Sequence, residues 1–152
     1  VSILIELTDK QFTFSHNFGY FTMQNVEGLI RQINTEDKDR EVVLVQNTQI
    51  NPPIGRFGTG FMTTHLLSEK VQVNGLYRNE NSYKKVDFSL DRSSTERNEL
   101  VESVNTSFEQ AEGSVESSQI VPNPNFSDYN TVFTYHLDEY SKKTAQTGLA
   151  DV

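Results

Sequence analysis

Two short runs near the start, Ser2-Ile3-Leu4-Ile5-Glu6-Leu7 and Phe12-Thr13-Phe14-Ser15, are rich in β-branched and aromatic residues. They are joined through polar Thr8-Asp9-Lys10-Gln11, so strand propensity and turn chemistry together predict a hairpin. The period then changes. Met23, Val26, Leu29 or Ile30, and Ile33 recur at helical spacing, predicting a helix from about Met23 to Asn34 with Thr22 as its N-cap. Gly28 inside that helix weakens it by about 1 kcal/mol relative to Ala. Lys70 to Leu76 and Lys85 to Leu90 return to alternation and predict a second antiparallel hairpin, with Tyr77 to Ser82 as its polar loop.

Ser93 and Glu96 have the spacing of a capping box. The helix they introduce carries Leu100, Val101, Val104, Phe108 and Ala111 on one face and is expected to end near Gly113. A loop follows to Asn130, marked by Pro122-Asn123-Pro124-Asn125. Thr131 to Leu137 is the last clear strand, and Asp138 to Thr147 begins a polar helix. Strands and helices in this order predict an α+β domain.

Composition narrows the picture. With 152 residues the chain is one domain, long enough for a core to which ten Phe and six Tyr contribute much of the volume. A net charge of −8 argues against a nucleic-acid partner or an anionic membrane surface, because both require clustered cations. The absence of cysteine excludes disulfides and thiolate metal sites. His16, His65 and His136 have no metal-ligand spacing, so no metal site is expected among them, and His65 reads as a packed or partly exposed helix residue. No apolar stretch has the length of a membrane span and no signal peptide is visible, so a cytoplasmic protein is expected. The chain begins at Val1, already strand-like, and so reads as a piece of a longer polypeptide.

The densest chemistry lies in Ile54-Gly55-Arg56-Phe57-Gly58-Thr59-Gly60-Phe61, followed by a helix-like stretch to Leu67 and the strand Glu69-Lys70-Val71-Gln72-Val73. Glycines cluster where the backbone needs positive φ or must approach another group closely. A glycine loop opening a helix presents free N–H groups and the positive end of the helix dipole, which suits phosphate oxygens. Thr59 adds a hydroxyl donor and Arg56 a permanent cation. The plain alternative is a tight turn before a core helix.

This run resembles the second glycine box of the GHKL ATPases, the gyrase, heat-shock chaperone, histidine kinase and mismatch-repair families. It looks closest to the chaperone branch and to bacterial ATP-binding proteins. The family pattern is Gly-x-Phe-Gly-x-Gly-Phe, a short helix, then a Glu-Lys-Val-x-Val strand, and Gly55 to Phe61 with Glu69 to Val73 match it in order and spacing. No Lys-Ser/Thr follows the last glycine, so it is not the Walker A pattern.

The resemblance implies a Bergerat-like α/β two-layer sandwich, with a mixed, mostly antiparallel sheet and helices on one face. It also implies ATP as the ligand, with Mg²⁺ in the complete protein. Gly55, Gly58 and Gly60, with the Thr59 and Phe61 amides and the intervening Arg56 and Phe57, would cradle the phosphates. An Asp-x-Gly reads the adenine in the family; here His16 occupies the strand register of that Asp, and Asn17 stands two residues before Gly19. Either offers an acceptor atom. Thr131 matches a family threonine that hydrogen-bonds near the base. Residues 34–53 lie where the family has its lid, and the helix of residues 93–112 is an addition to the pattern.

One family element is missing: a Glu-x-x-x-Asn helix before the first glycine box, whose Asn holds Mg²⁺ and whose Glu activates the attacking water. This chain is therefore expected to bind nucleotide but to hydrolyse it poorly, so no catalytic residue is assigned. Its sheet should also expose apolar surface, inviting a second copy or a neighbouring domain. The alternative function is a non-catalytic interaction module on a degenerate or truncated fold of this type. An unrelated α+β protein whose glycine loop is only a turn is a third reading.

Overall fold

A computed structural model describes residues 1–31 and 67–150. The end of the first predicted helix, the lid-like stretch and the glycine run Gly55–Phe61 lie outside the described residues.

The first hairpin forms as expected. Strand β1 (Ile3–Leu7) pairs antiparallel with β2 (Gln11–His16), from Leu7 opposite Phe12 to Ile3 opposite His16. Thr8 shapes the turn: its N–H donates to the Gln11 carbonyl (2.8 Å) and its hydroxyl accepts from the Gln11 N–H (3.1 Å). Helix α1 (Met23–Arg31) is capped reciprocally. The Asn25 N–H donates to the Thr22 hydroxyl (3.3 Å), and the Thr22 N–H donates to Asn25 Oδ1 (2.9 Å). Val26 and Ile30 are its buried residues, while Met23, counted in the predicted stripe, is exposed.

The second hairpin is longer than the alternation predicted. Strands β3 (Lys70–Asn79) and β4 (Ser82–Asp91) stay paired through Asn79 opposite Ser82, leaving only Glu80 and Asn81 in the turn. Glu80 takes φ 51°, as a two-residue hairpin turn demands. Tyr77, assigned to the loop by sequence, is buried on β3. Helix α2 (Arg97–Ser117), strand β5 (Thr131–His136) and helix α3 (Glu139–Ala150) follow among the described residues. The Lys142 ammonium on α3 meets Asp9 of the β1–β2 turn at 2.7 Å.

The strands form one five-stranded sheet in the order β1-β2-β5-β3-β4. Every pairing of these strands is antiparallel; among the described residues the parallel component is one isolated bridge, between Phe21 and Tyr77. Val71, Val73 and Tyr77 of β3, Val86, Phe88 and Leu90 of β4, and Phe133 and Tyr135 of β5 share one core with Val26 and Ile30 of α1 and Ala111 of α2. The domain is thus α+β, as expected, with α1 and α2 packed on the apolar face of the sheet; its described strands pair antiparallel throughout, where a mixed, mostly antiparallel sheet was expected.

Helix α2 departs from its predicted caps and boundary. Ser93 does not cap it, because its N–H (2.9 Å) and hydroxyl (2.6 Å) both donate to Asp91 Oδ1. Glu96 is itself the N-cap residue and makes no side-chain cap bond. The helix also runs through Gly113 to Ser117.

The reason is tertiary. β4 is an edge strand, and alternate residues of such a strand aim unpaired N–H and C=O groups outward. The Lys85 N–H donates to Ser118 Oγ (2.9 Å), the Asp87 N–H to Ser114 Oγ (2.9 Å) and the Ser89 N–H to Gln110 Oε1 (2.8 Å). Ser107 Oγ donates to the Ser89 carbonyl and Ser103 Oγ to the Asp91 carbonyl, each at 2.6 Å. The polar residues of α2 therefore complete the hydrogen bonding of the edge, while Val104, Phe108, Ala111 and Val115 pack on the core. Those bonds outweigh the roughly 1 kcal/mol that a helical glycine costs.

Candidate functional site

Three strands bring the first group of sequence-predicted residues together. His16, the last residue of β2, is opposite Thr131, the first of β5, and Thr131 is opposite Gly75 of β3. Asn17, Phe18 and Gly19 leave the sheet directly after His16. His16, Asn17, Gly19 and Thr131 thus occupy one end of the sheet. The predicted phosphate-side residues Gly55, Arg56, Phe57, Gly58, Thr59, Gly60 and Phe61 lie outside the described residues.

The turn after β2 is fixed at several points. The Ser2 N–H donates to Asn17 Oδ1 (2.7 Å), the Asn17 N–H to the Ser2 carbonyl (3.2 Å), and Asn17 Nδ2 to the Ser127 carbonyl (3.4 Å). Asn17 therefore ties the chain before β1 to the loop before β5. One lone pair of Oδ1 is left over from the Ser2 bond. Gly19 has φ 69°, the left-handed region that a side chain would strain.

His16 Nδ1 accepts from the Phe18 N–H at 3.2 Å, so the ring proton sits on Nε2. Its ring is half-buried beside Phe14 and Phe133, with centroids 5.9 and 6.3 Å away. Burial pushes its pKa below the ordinary imidazole value, which keeps the ring neutral at pH 7. The nitrogen left for a ligand is thus a donor, so of the two residues expected to offer an acceptor, His16 and Asn17, only Asn17 has one to spare. Thr131 is buried at 3% exposure.

Gly75 was not singled out from the sequence. A Cβ there would lie 2.4 Å from Phe21 Cε2 and 3.1 Å from the Asn130 carbonyl oxygen. The glycine is needed for close approach: the Phe21 ring lies against the β3 backbone beside Thr131. A lone glycine inside an alternating strand was the available signal.

The loop before β5 is also held. Asn130 Nδ2 donates to the Asn125 carbonyl (2.8 Å), Asn125 Nδ2 to Asp128 (2.8 Å), and the Leu76 N–H to the Asn130 carbonyl (2.9 Å). Beside it, the Arg78 guanidinium stacks over Tyr20 and donates to its hydroxyl (2.8 Å), and Tyr20, Tyr83 and Phe126 follow edge to face.

A cleft of about 440 Å³ opens elsewhere, between α2 and the polar face of β3 and β4. Its lining includes Lys70, Gln72, Asp91, Glu102, Gln110 and His136. His136 ends β5 and Thr131 begins it, so the cleft is at the opposite end of the sheet from His16. Much of its polar lining is internally paired: Lys70 with Asp91 at 3.1 Å, Ser89 with Gln72 at 2.8 Å. Among the described residues no group of three His, Asp or Glu could hold a metal, and no helix is long and apolar enough to cross a membrane.

No protein-family model matches this sequence, and a search of the curated proteins likewise finds no match.

Proposed function

We propose that the chain is the ATP-binding domain of a GHKL-type ATPase, with the base held at the His16–Thr131 end and the phosphates on the Gly55–Gly60 run. The observation that carries this reading is the pairing of His16 with Thr131. Two residues far apart in sequence, each matched to the base side of the family pattern, are direct neighbours across β2 and β5. The groups available there suit a purine edge. His16 Nε2–H donates to a ring nitrogen, and the remaining lone pair of Asn17 Oδ1 accepts from an exocyclic amine. Gly19 supports the reading through its positive φ, which turns the backbone where the family has its glycine.

Binding is the property assigned to these residues. Hydrolysis calls for a Glu-x-x-x-Asn pair, and no Glu in this sequence is followed four residues later by Asn. Mg²⁺ belongs to the complete site rather than to the base end. A cytoplasmic location accords with this function.

A second reading, an interaction module of the same fold, is favoured by one observation. The edge strand β1 exposes Ile3 at 57% and Ile5 at 41%, an apolar face suited to a second copy or a neighbouring domain. Calorimetric titration of ATP separates the two. The ATPase reading expects binding by the wild-type chain and its loss in Gly58→Ala, without a matching loss of stability. A wild-type chain that binds no ATP removes the nucleotide reading and leaves the interaction module.

A further inference from the structure

We infer that Phe18 is the stacking platform for the purine base, an inference that rests on the nucleotide reading above. Phe18 is 70% exposed, although it stands between Asn17 and Gly19 in the part of the chain assigned to the base. It makes no ring contact among the described residues, in contrast to Phe126, which packs edge-on against Tyr83 at 5.6 Å.

The ring is displayed from a fixed turn. Its own N–H is held by His16 Nδ1 (3.2 Å), the preceding Asn17 is bonded to Ser2 and Ser127, and the following Gly19 is locked at φ 69°. A rigid backbone that presents an apolar ring to water lowers the ordering cost of binding a flat ligand. A heteroaromatic base needs two kinds of contact, hydrogen bonds in its plane and an apolar surface on its face. His16 and Asn17 offer the first, and Phe18, next in sequence, offers the second.

The chain has no tryptophan, so Phe18→Trp places a single indole reporter at this point. Stacking predicts that ATP quenches this fluorescence saturably, that tripolyphosphate, which lacks a base, does not, and that Phe18→Ala raises the calorimetric Kd for ATP about tenfold while Phe18→Tyr preserves it. If the wild type binds ATP but Phe18→Ala binds it equally well and Phe18→Trp stays unquenched at saturation, stacking is refuted and the nucleotide site stands. If ATP binds neither the wild type nor the variants, the nucleotide reading fails and the platform falls with it. Because the ring is exposed, all three substitutions should leave the unfolding midpoint unchanged.

Discussion

Gly75→Ala is the substitution whose effect can be worked most directly from the structure. The added Cβ would sit 2.4 and 2.6 Å from two Phe21 ring carbons, where non-bonded carbons rest at about 3.5–4.0 Å. Phe21 has little room to yield. It is 7% exposed, its N–H donates to the Leu76 carbonyl (2.7 Å), and its carbonyl accepts from the Arg78 N–H (2.9 Å). The Asn130 carbonyl, 3.1 Å from the same Cβ, is held by the Leu76 N–H. Relief therefore requires moving a core ring or opening the β3–β5 junction, an overpacking loss of about 1–3 kcal/mol. For a chain of this size, a loss of about 2 kcal/mol lowers Tm by about 4–8 °C. Urea unfolding should show a lower midpoint at unchanged slope. Phe21→Leu, which shortens the blocking side chain, should combine with Gly75→Ala sub-additively by about 1 kcal/mol or more. A Gly75→Ala protein within about 0.5 kcal/mol of wild type would refute the close-approach argument.

Other outcomes follow from the same contacts. Ser107→Ala removes a buried hydroxyl from the Ser89 carbonyl and should cost about 1–2 kcal/mol, whereas Ser114→Ala leaves the Asp87 N–H within reach of water and should cost less than about 1 kcal/mol, an order that urea unfolding checks. Burial holds the His16 pKa below its unfolded value, so the unfolded chain takes up the proton first as pH falls. Its contribution is intact above the unfolded pKa, declines below about pH 6.5 and levels off beneath the folded pKa. His16→Asn, which keeps an acceptor for the Phe18 N–H, should flatten that part of the Tm-versus-pH curve; identical curves would contradict the assignment. Asn17→Ala should speed hydrogen exchange both near Ser2 and in the loop around Ser127, and faster exchange at only one of them would show that Asn17 does not bridge the two.

The sequence made local structure legible wherever propensity and turn chemistry agreed. The β1–β2 hairpin, the Thr22 cap and the apolar alternation of Val71, Val73, Val86, Phe88 and Leu90 all carry their signals within a few residues. The strand order could not be read this way. β5 inserts between β2 and β3, pairing Thr131 with His16 and with Gly75, and contacts so distant in sequence leave no periodic trace. The ends of β3 and β4 were missed because Arg78, Asn79 and Ser82 are polar, yet a two-stranded ribbon open to solvent needs no apolar face. Helix α2 misled for a related reason. Ser103, Ser107, Gln110 and Ser114 resemble an ordinary solvated face, and only their three- and four-residue spacing hints at a strand edge waiting to be satisfied. At the candidate site, residue types were readable but protonation was not. That His16 offers a donor depends on the Phe18 N–H occupying Nδ1, a consequence of the turn's geometry.

The most direct test of the central claim is an amide-resolved NMR titration of the chain with ATP. Nucleotide bound at the His16–Thr131 end gives saturable shifts at Asn17, Phe18, Gly19 and Thr131 together with the glycines at 55, 58 and 60, while Glu102 and Gln110 in the polar cleft stay still. Shifts confined to the cleft, or none at saturating ATP, would contradict that claim.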